Sequence, residues 1–124
     1  MNDFTYLGNP NLKKANVQQE WTKKQVQEYA RCMDDPLYFI QTYVRIVSLD
    51  EGLIPFKMYP FQKEMVGTFH KNRFTICKLP RQSGKSTTII SYLLHYALFN
   101  QNVNIAVLAN KSSTARDILS RLQL

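Results

Sequence analysis

The sequence predicts an α/β fold, with N-terminal helices followed by the first β-α-β-α stretch of a parallel sheet that is itself incomplete. Three observations carry this expectation. Phe74, Ile76 and Cys77 form a short apolar segment over 73–79, a Gly-Lys-Ser triplet follows at 84–86, and the apolar-rich run 85–99 has helical length. A second apolar segment, Val103–Ala109, and a run from Ser112 or Ser113 toward the end repeat the order of strand then helix. Strands alternating with helices argue for parallel pairing.

Each element has a local reason. Residues 1–20 contain the turn-forming Gly8-Asn9-Pro10-Asn11 and little periodicity, so they are expected to form an extended arm. Thr22 and Gln25 make a Thr-x-x-Gln capping box, and Trp21 and Val26 stand where a hydrophobic staple would sit. Val26, Tyr29, Ala30 and Met33 continue at helical spacing, which predicts a helix over 23–33. Asp35-Pro36 reads as a cap followed by proline at the first helical position, opening a helix over 36–44 that buries Leu37, Ile40 and Val44. From Ser48 to Lys57 a connecting loop with some extended character is expected. Pro60 opens a helix to Lys71 with Phe61, Met65 and Phe69 on one face. The chain thus divides into an arm (1–20), a helical lead-in (21–72) and the start of an α/β core (73–124).

The chemistry concentrates in the loop between 79 and 87. Leu79-Pro80-Arg81-Gln82-Ser83-Gly84-Lys85-Ser86-Thr87 joins a predicted strand to a predicted helix, the context of a phosphate-binding loop. Gly84 lets the backbone approach phosphate oxygens, and successive unpaired amides at the start of the helix are expected to face an anion. Lys85 supplies a point charge for β- and γ-phosphates, and the Ser86 hydroxyl is the expected Mg2+ ligand. Arg81 is either a solvated loop cation or a group that meets the γ-phosphate as charge develops. The pattern departs from the usual phosphate loop at Leu79, where a glycine would stand.

Charge and composition set bounds. Residues 1–64 hold eight basic and eight acidic side chains, whereas 65–124 hold eight basic side chains and only Asp117, so the whole excess of +7 lies in the second half. That excess suits a nucleotide and is compatible with a nucleic-acid backbone. No apolar run approaches the ~20 residues of a membrane span, and the N-terminus lacks the features of a secretory signal. Cys32 and Cys77 are widely separated and read as reduced cytosolic thiols. His70 and His95 are isolated and are expected at helix surfaces or boundaries.

Three segments together resemble one family. Leu79-Pro80-Arg81-Gln82-Ser83-Gly84-Lys85-Ser86 is similar to the phosphate loop of large terminase subunits, the ATP-driven DNA-packaging motors of tailed bacteriophages. Tyr59-Pro60-Phe61-Gln62 resembles the adenine-binding segment of that family, an aromatic residue followed by glutamine. Pro10–Asn16, Trp21-Thr22 and Asp34-Asp35 resemble the T-even-like members, so the likeness runs from about Tyr6 to Leu124. The resemblance implies a P-loop NTPase sheet, ATP and Mg2+ as cofactors, Lys85 and Arg81 in catalytic roles, and Gln62 on the adenine edge. Phe61 would pack on the base, although its place on the Met65/Phe69 face equally suits core packing. It further implies double-stranded DNA, a portal protein and a small terminase subunit as partners. A ring homo-oligomer on the portal and a host-cytoplasmic location are implied too.

The family's acidic magnesium strand (Walker B), its water-activating glutamate and its nuclease domain find no counterpart in 1–124. Two strands would also leave edges and apolar faces uncovered, so the expectation is the N-terminal part of a longer protein. By itself this part would bind nucleotide without turnover. Two alternatives stay open. One is a fragment of a superfamily-2-type helicase or translocase, which also pairs an upstream glutamine with a Gly-Lys-Ser/Thr loop; the other is a non-catalytic nucleotide- or partner-binding module.

Overall fold

The computed structural model describes residues 5–18, 20–48 and 50–122. The ends of the expected arm (1–4) and of the last expected helix (123–124) lie outside the described residues. Among those described, the chain is a mixed α/β structure of five helices and two separate antiparallel hairpins.

The first hairpin pairs β1 (Thr5–Tyr6) with β2 (Asn9–Lys13). Its turn places Leu7 and Gly8 at φ 51° and 78°, the two left-handed positions of a tight hairpin. The expected arm is therefore a paired ribbon over part of its length. Helix α1 (Lys23–Asp34) begins as expected: Gln25 N–H donates to Thr22 Oγ1 at 3.3 Å, and Thr22 N–H donates to Gln25 Oε1 at 2.9 Å. The staple takes another form, because Trp21 meets Tyr29 edge-on at 6.2 Å between ring centres.

Asp35 links two helices. Its backbone N–H closes α1 on Arg31 O, and its carboxylate accepts from Leu37 N–H (2.9 Å) and Tyr38 N–H (3.0 Å) to open α2 (Pro36–Tyr43). Asp35→Ala orphans two donors of that first turn and is expected to cost about 1 kcal/mol, the usual loss for a removed cap. Urea unfolding measures it, and an unchanged midpoint would show that the cap carries no stability.

Helix α2 occupies the centre, in contact with α1, α3 (Pro60–Lys71), α4 (Lys85–Phe99) and strand β4 (Gly52–Pro55). Cys32, Phe39, Ile40, Phe56, Met58 and Val66 form the core, with Leu37, Val44, Ile46, Tyr92, Leu94 and Phe99 packed around it. Glu28 fastens α1 to α2 from outside: its Oε1 accepts from Tyr38 Oη at 2.7 Å and Tyr43 Oη at 2.9 Å. These bonds, Tyr38's foremost, hold the Glu28 carboxyl below its ordinary range, and the bond to Glu28 pushes Tyr43 up to about 12.

The connection after α2 is more ordered than the sequence suggests. Strand β3 (Arg45–Ser48) pairs antiparallel with β4 through Ile46 opposite Ile54, and Gly52 takes φ 72° where the chain turns back.

The expected parallel sheet is not formed among the described residues. Segments 73–79 and 103–109 are irregular and carry no ladder. Phe74 is 82 % exposed, Ile76 98 % and Leu108 89 %. Apolar patterning records a preference for cover, whereas a ladder needs an adjacent strand in register, and parallel sheets need both faces covered. The helices that flank these segments do form: α4 spans the expected 85–99, and α5 spans Ser112–Ser120.

His95 departs from expectation in the opposite sense. It is 3 % exposed, and its ring lies 4.8 Å from Phe99, 5.4 Å from Phe39 and 6.4 Å from both Tyr92 and His70. A carbonyl can only accept, so the 2.8 Å contact to Cys32 O means that Nε2 carries a proton. Burial, reinforced by the nearby His70, pushes the imidazole below its ordinary value of 6.5, against the opposing pull of the Cys32 carbonyl. The fold therefore binds that proton less tightly than the unfolded chain does. This contribution to stability is complete above pH ~6.5 and is lost as pH falls through the lower folded value. Thermal unfolding between pH 7.5 and 5 is expected to show a falling midpoint that flattens in His95→Gln; equal slopes would contradict this.

Candidate functional site

The loop 80–84 joins irregular chain to α4, and its backbone is shaped for an anion. Gln82 and Gly84 both take left-handed conformations, φ 60° and 72°, with Ser83 between them outside that region. Alternation of this kind turns successive backbone N–H groups into one concavity, the arrangement that binds phosphate oxygens. Gly84 is also the N-cap of α4, so the first unpaired amides of a 15-residue helix open onto the same concavity.

Side chains brace this shape. Ser83 Oγ donates to Pro80 O at 3.0 Å and closes the loop on itself. Lys85 Nζ reaches Leu79 O and Pro80 O, each at 3.5 Å, so the ammonium sits over the loop. Thr88 donates to Gly84 O twice, from N–H and Oγ1, both at 3.0 Å. Ser86 and Thr87 stand half-buried in the first turn of α4, and Arg81 is exposed.

The upstream segment comes to the same place. Tyr59, Pro60, Phe61 and Gln62 form the start of α3, and Gln62 lies against the loop with its Nε2 3.4 Å from Ser83 O. Sequence separation of 21 residues is thereby closed by one side chain. A cleft of about 560 Å³ opens beside it, and its lining includes Glu51, Ile54, Phe56, Lys57, Tyr59 and Gln62 together with Gln82, Ser83, Gly84 and Thr87 of the loop and helix start.

No model of a known protein family matches this chain.

The placement of the expected site residues is mixed. Pro80, Arg81, Gln82, Ser83, Gly84, Lys85, Ser86 and Thr87 are brought together at one loop and helix start. Phe61 does not line the cleft; it stacks on Tyr59 with ring centres 6.0 Å apart and planes 8° from parallel, and it is not part of the core on the Met65 side. Beside the buried Phe56, the aromatic residue of the cleft lining is Tyr59, 67 % exposed. Its position ahead of Pro60 was the available signal, because a helix N-cap is carried on the loop side of the element. Gln62 is 2 % exposed, which nothing in its spacing reveals.

Among the described residues no group of three or more His, Cys, Asp or Glu is placed to bind a metal ion. The donor set fits Mg2+ only as the hydroxyl of Ser86 joined by phosphate oxygens and water, a combination that suits this hard, reluctantly dehydrated cation. Among the described residues, no helix is long and apolar enough to cross a membrane.

Proposed function

We propose that this protein binds the phosphates of a nucleoside triphosphate, ATP with Mg2+, at residues 80–87. The observation that carries the reading is the pair of left-handed residues Gln82 and Gly84 immediately ahead of Lys85 at the start of α4. An alternating backbone, a helix N-terminus and a lysine in one loop supply amides, dipole and charge to the same point. Lys85 would engage β- and γ-phosphates, Ser86 the metal, and the base would lie in the cleft beside Tyr59 and the Tyr59/Phe61 ring pair. Magnesium, when bound, would neutralise charge across the β- and γ-phosphate oxygens.

The finer reading is the N-terminal part of a terminase large subunit, a motor that hydrolyses ATP to package double-stranded DNA. It draws on the resemblance of 59–62 and 79–86, and on the basic excess of residues 65–124. In that reading, segments 73–79 and 103–109 become parallel strands of a P-loop sheet, whose neighbours would cover Phe74, Ile76 and Leu108. Portal protein, small terminase subunit, ring assembly and a host-cytoplasmic location belong to the same proposal. Asp117 lies on α5 and is not among the residues lining the cleft, whose lining carboxylate is Glu51; with no counterpart of the family's acidic strand and glutamate in the sequence, residues 1–124 are proposed to bind nucleotide without turnover.

Competition binding with a fluorescent ATP analogue tests the reading. Saturable binding displaced by ATP, with no phosphate release above background, is expected. Absence of binding at millimolar ATP would refute the site, and Lys85-dependent turnover would refute catalytic incompleteness.

A further inference from the structure

We infer that Gln62 is a positioning residue for the phosphate loop, and that its amide shapes the cradle instead of reading the base. The inference rests on the nucleotide reading above and revises the role that the terminase resemblance gives this residue.

Both ends of the Gln62 amide are engaged within the protein. Oε1 accepts from Tyr59 N–H at 2.8 Å, which satisfies an orphan donor at the start of α3. Nε2 donates to Ser83 O at 3.4 Å, inside the loop itself. The side chain is 2 % exposed, so its remaining donor and acceptor sites are covered, and presenting its edge to a base would require uncovering a buried amide.

Gln62 also fills the space that Gly84 leaves. A Cβ built on Gly84 would come within 2.7 Å of Gln62 Nε2. The amide therefore packs against the left-handed N-cap of α4 on the side where any other residue would carry a side chain. One group thus holds Ser83 O by a hydrogen bond and Gly84 by contact, and these two residues form the C-terminal half of the concavity. Through Tyr59, the same group ties the cradle to the aromatic wall of the cleft. Any shift of the first turn of α3 is passed to the loop by this one side chain.

The two roles differ in what they do to a ligand without a base. A base-reading glutamine affects ATP and leaves inorganic tripolyphosphate unchanged; a positioning glutamine weakens both alike. Gln62→Met keeps most of the volume and removes both hydrogen bonds, so it guards against the collapse that Gln62→Ala could cause. Calorimetric titration of Mg2+ with ATP, GTP or tripolyphosphate into wild type and Gln62→Met is expected to show the same loss for all three, about tenfold. A loss confined to ATP, or no loss, would overturn the inference.

Hydrogen exchange separates this from failure of the nucleotide reading. If wild type binds neither ATP nor tripolyphosphate, the nucleotide reading fails by itself. Faster exchange at the Gly84 and Lys85 amides of Gln62→Met, at an unchanged melting temperature, would still support positioning. Unchanged exchange would overturn it.

Discussion

Gly84→Ala is expected to weaken ATP binding by at least about tenfold while leaving the helical core folded. Two independent penalties meet at this position. An L-residue held in the left-handed region costs about 1–2 kcal/mol, and Gly84 has φ 72°. The new Cβ would also lie 2.7 Å from Gln62 Nε2, closer than side chains normally approach. Because 1.4 kcal/mol is a factor of ten in affinity, the first term alone brings the loss to about that size. The added methyl group can be relieved only if the loop leaves the shape that aligns its amides or Gln62 leaves its pocket. The core around Ile40 and Val66 lies elsewhere, so circular dichroism is expected to report an intact helical signal. Full ATP affinity in a folded Gly84→Ala protein would show that the left-handed cap is not needed for binding.

Lys85→Ala is expected to lose more affinity and less structure. In the protein its ammonium makes only two long contacts, 3.5 Å each, to Leu79 O and Pro80 O, so their removal costs little stability. Against a triphosphate the same group would, under the proposed function, make charge-assisted bonds worth about 1.5–3 kcal/mol, which corresponds to roughly ten- to hundredfold in affinity. Arg81 is exposed, and Arg81→Ala is expected to leave binding within about threefold. Titration of the two variants side by side checks the assignment. Equal losses of binding would contradict the separate role given to Arg81.

What was legible in the sequence follows the range of the forces involved. The capping box at Thr22/Gln25, the Asp35-Pro36 link, Pro60 at a helix start and Gly84 ahead of α4 are decided within a few residues, and all four appear where expected. Strand pairing is decided at a distance. Segments 73–79 and 103–109 have the apolar content of strands but no ladder among the described residues, whereas Arg45–Ser48, four residues beside a turn, find a partner in Gly52–Pro55.

The same division runs through the site. The residue types of 80–87 marked the loop, and its left-handed backbone agrees with that signal. The burial of Gln62, and of His95 among Phe39, Tyr92 and Phe99, depends on how three helices pack. For His95 the spacing to Tyr92 and Phe99 placed it on an apolar face, a signal that was present but outweighed by its polarity. Nothing comparable distinguished Gln62 from an exposed helical glutamine. Tyr59, ahead of Pro60, lines the cleft and Phe61 stacks on it, an arrangement set by the turn before the helix.

Residues 80–87 are proposed to cradle phosphate, and amide chemical shifts of the 15N-labelled protein report on this residue by residue. Titration with inorganic tripolyphosphate and Mg2+ should move the Ser83, Gly84, Lys85 and Ser86 resonances first and furthest, and Lys85→Ala should abolish the response. Shifts absent from these four residues at saturating ligand, or unchanged by Lys85→Ala, would contradict it.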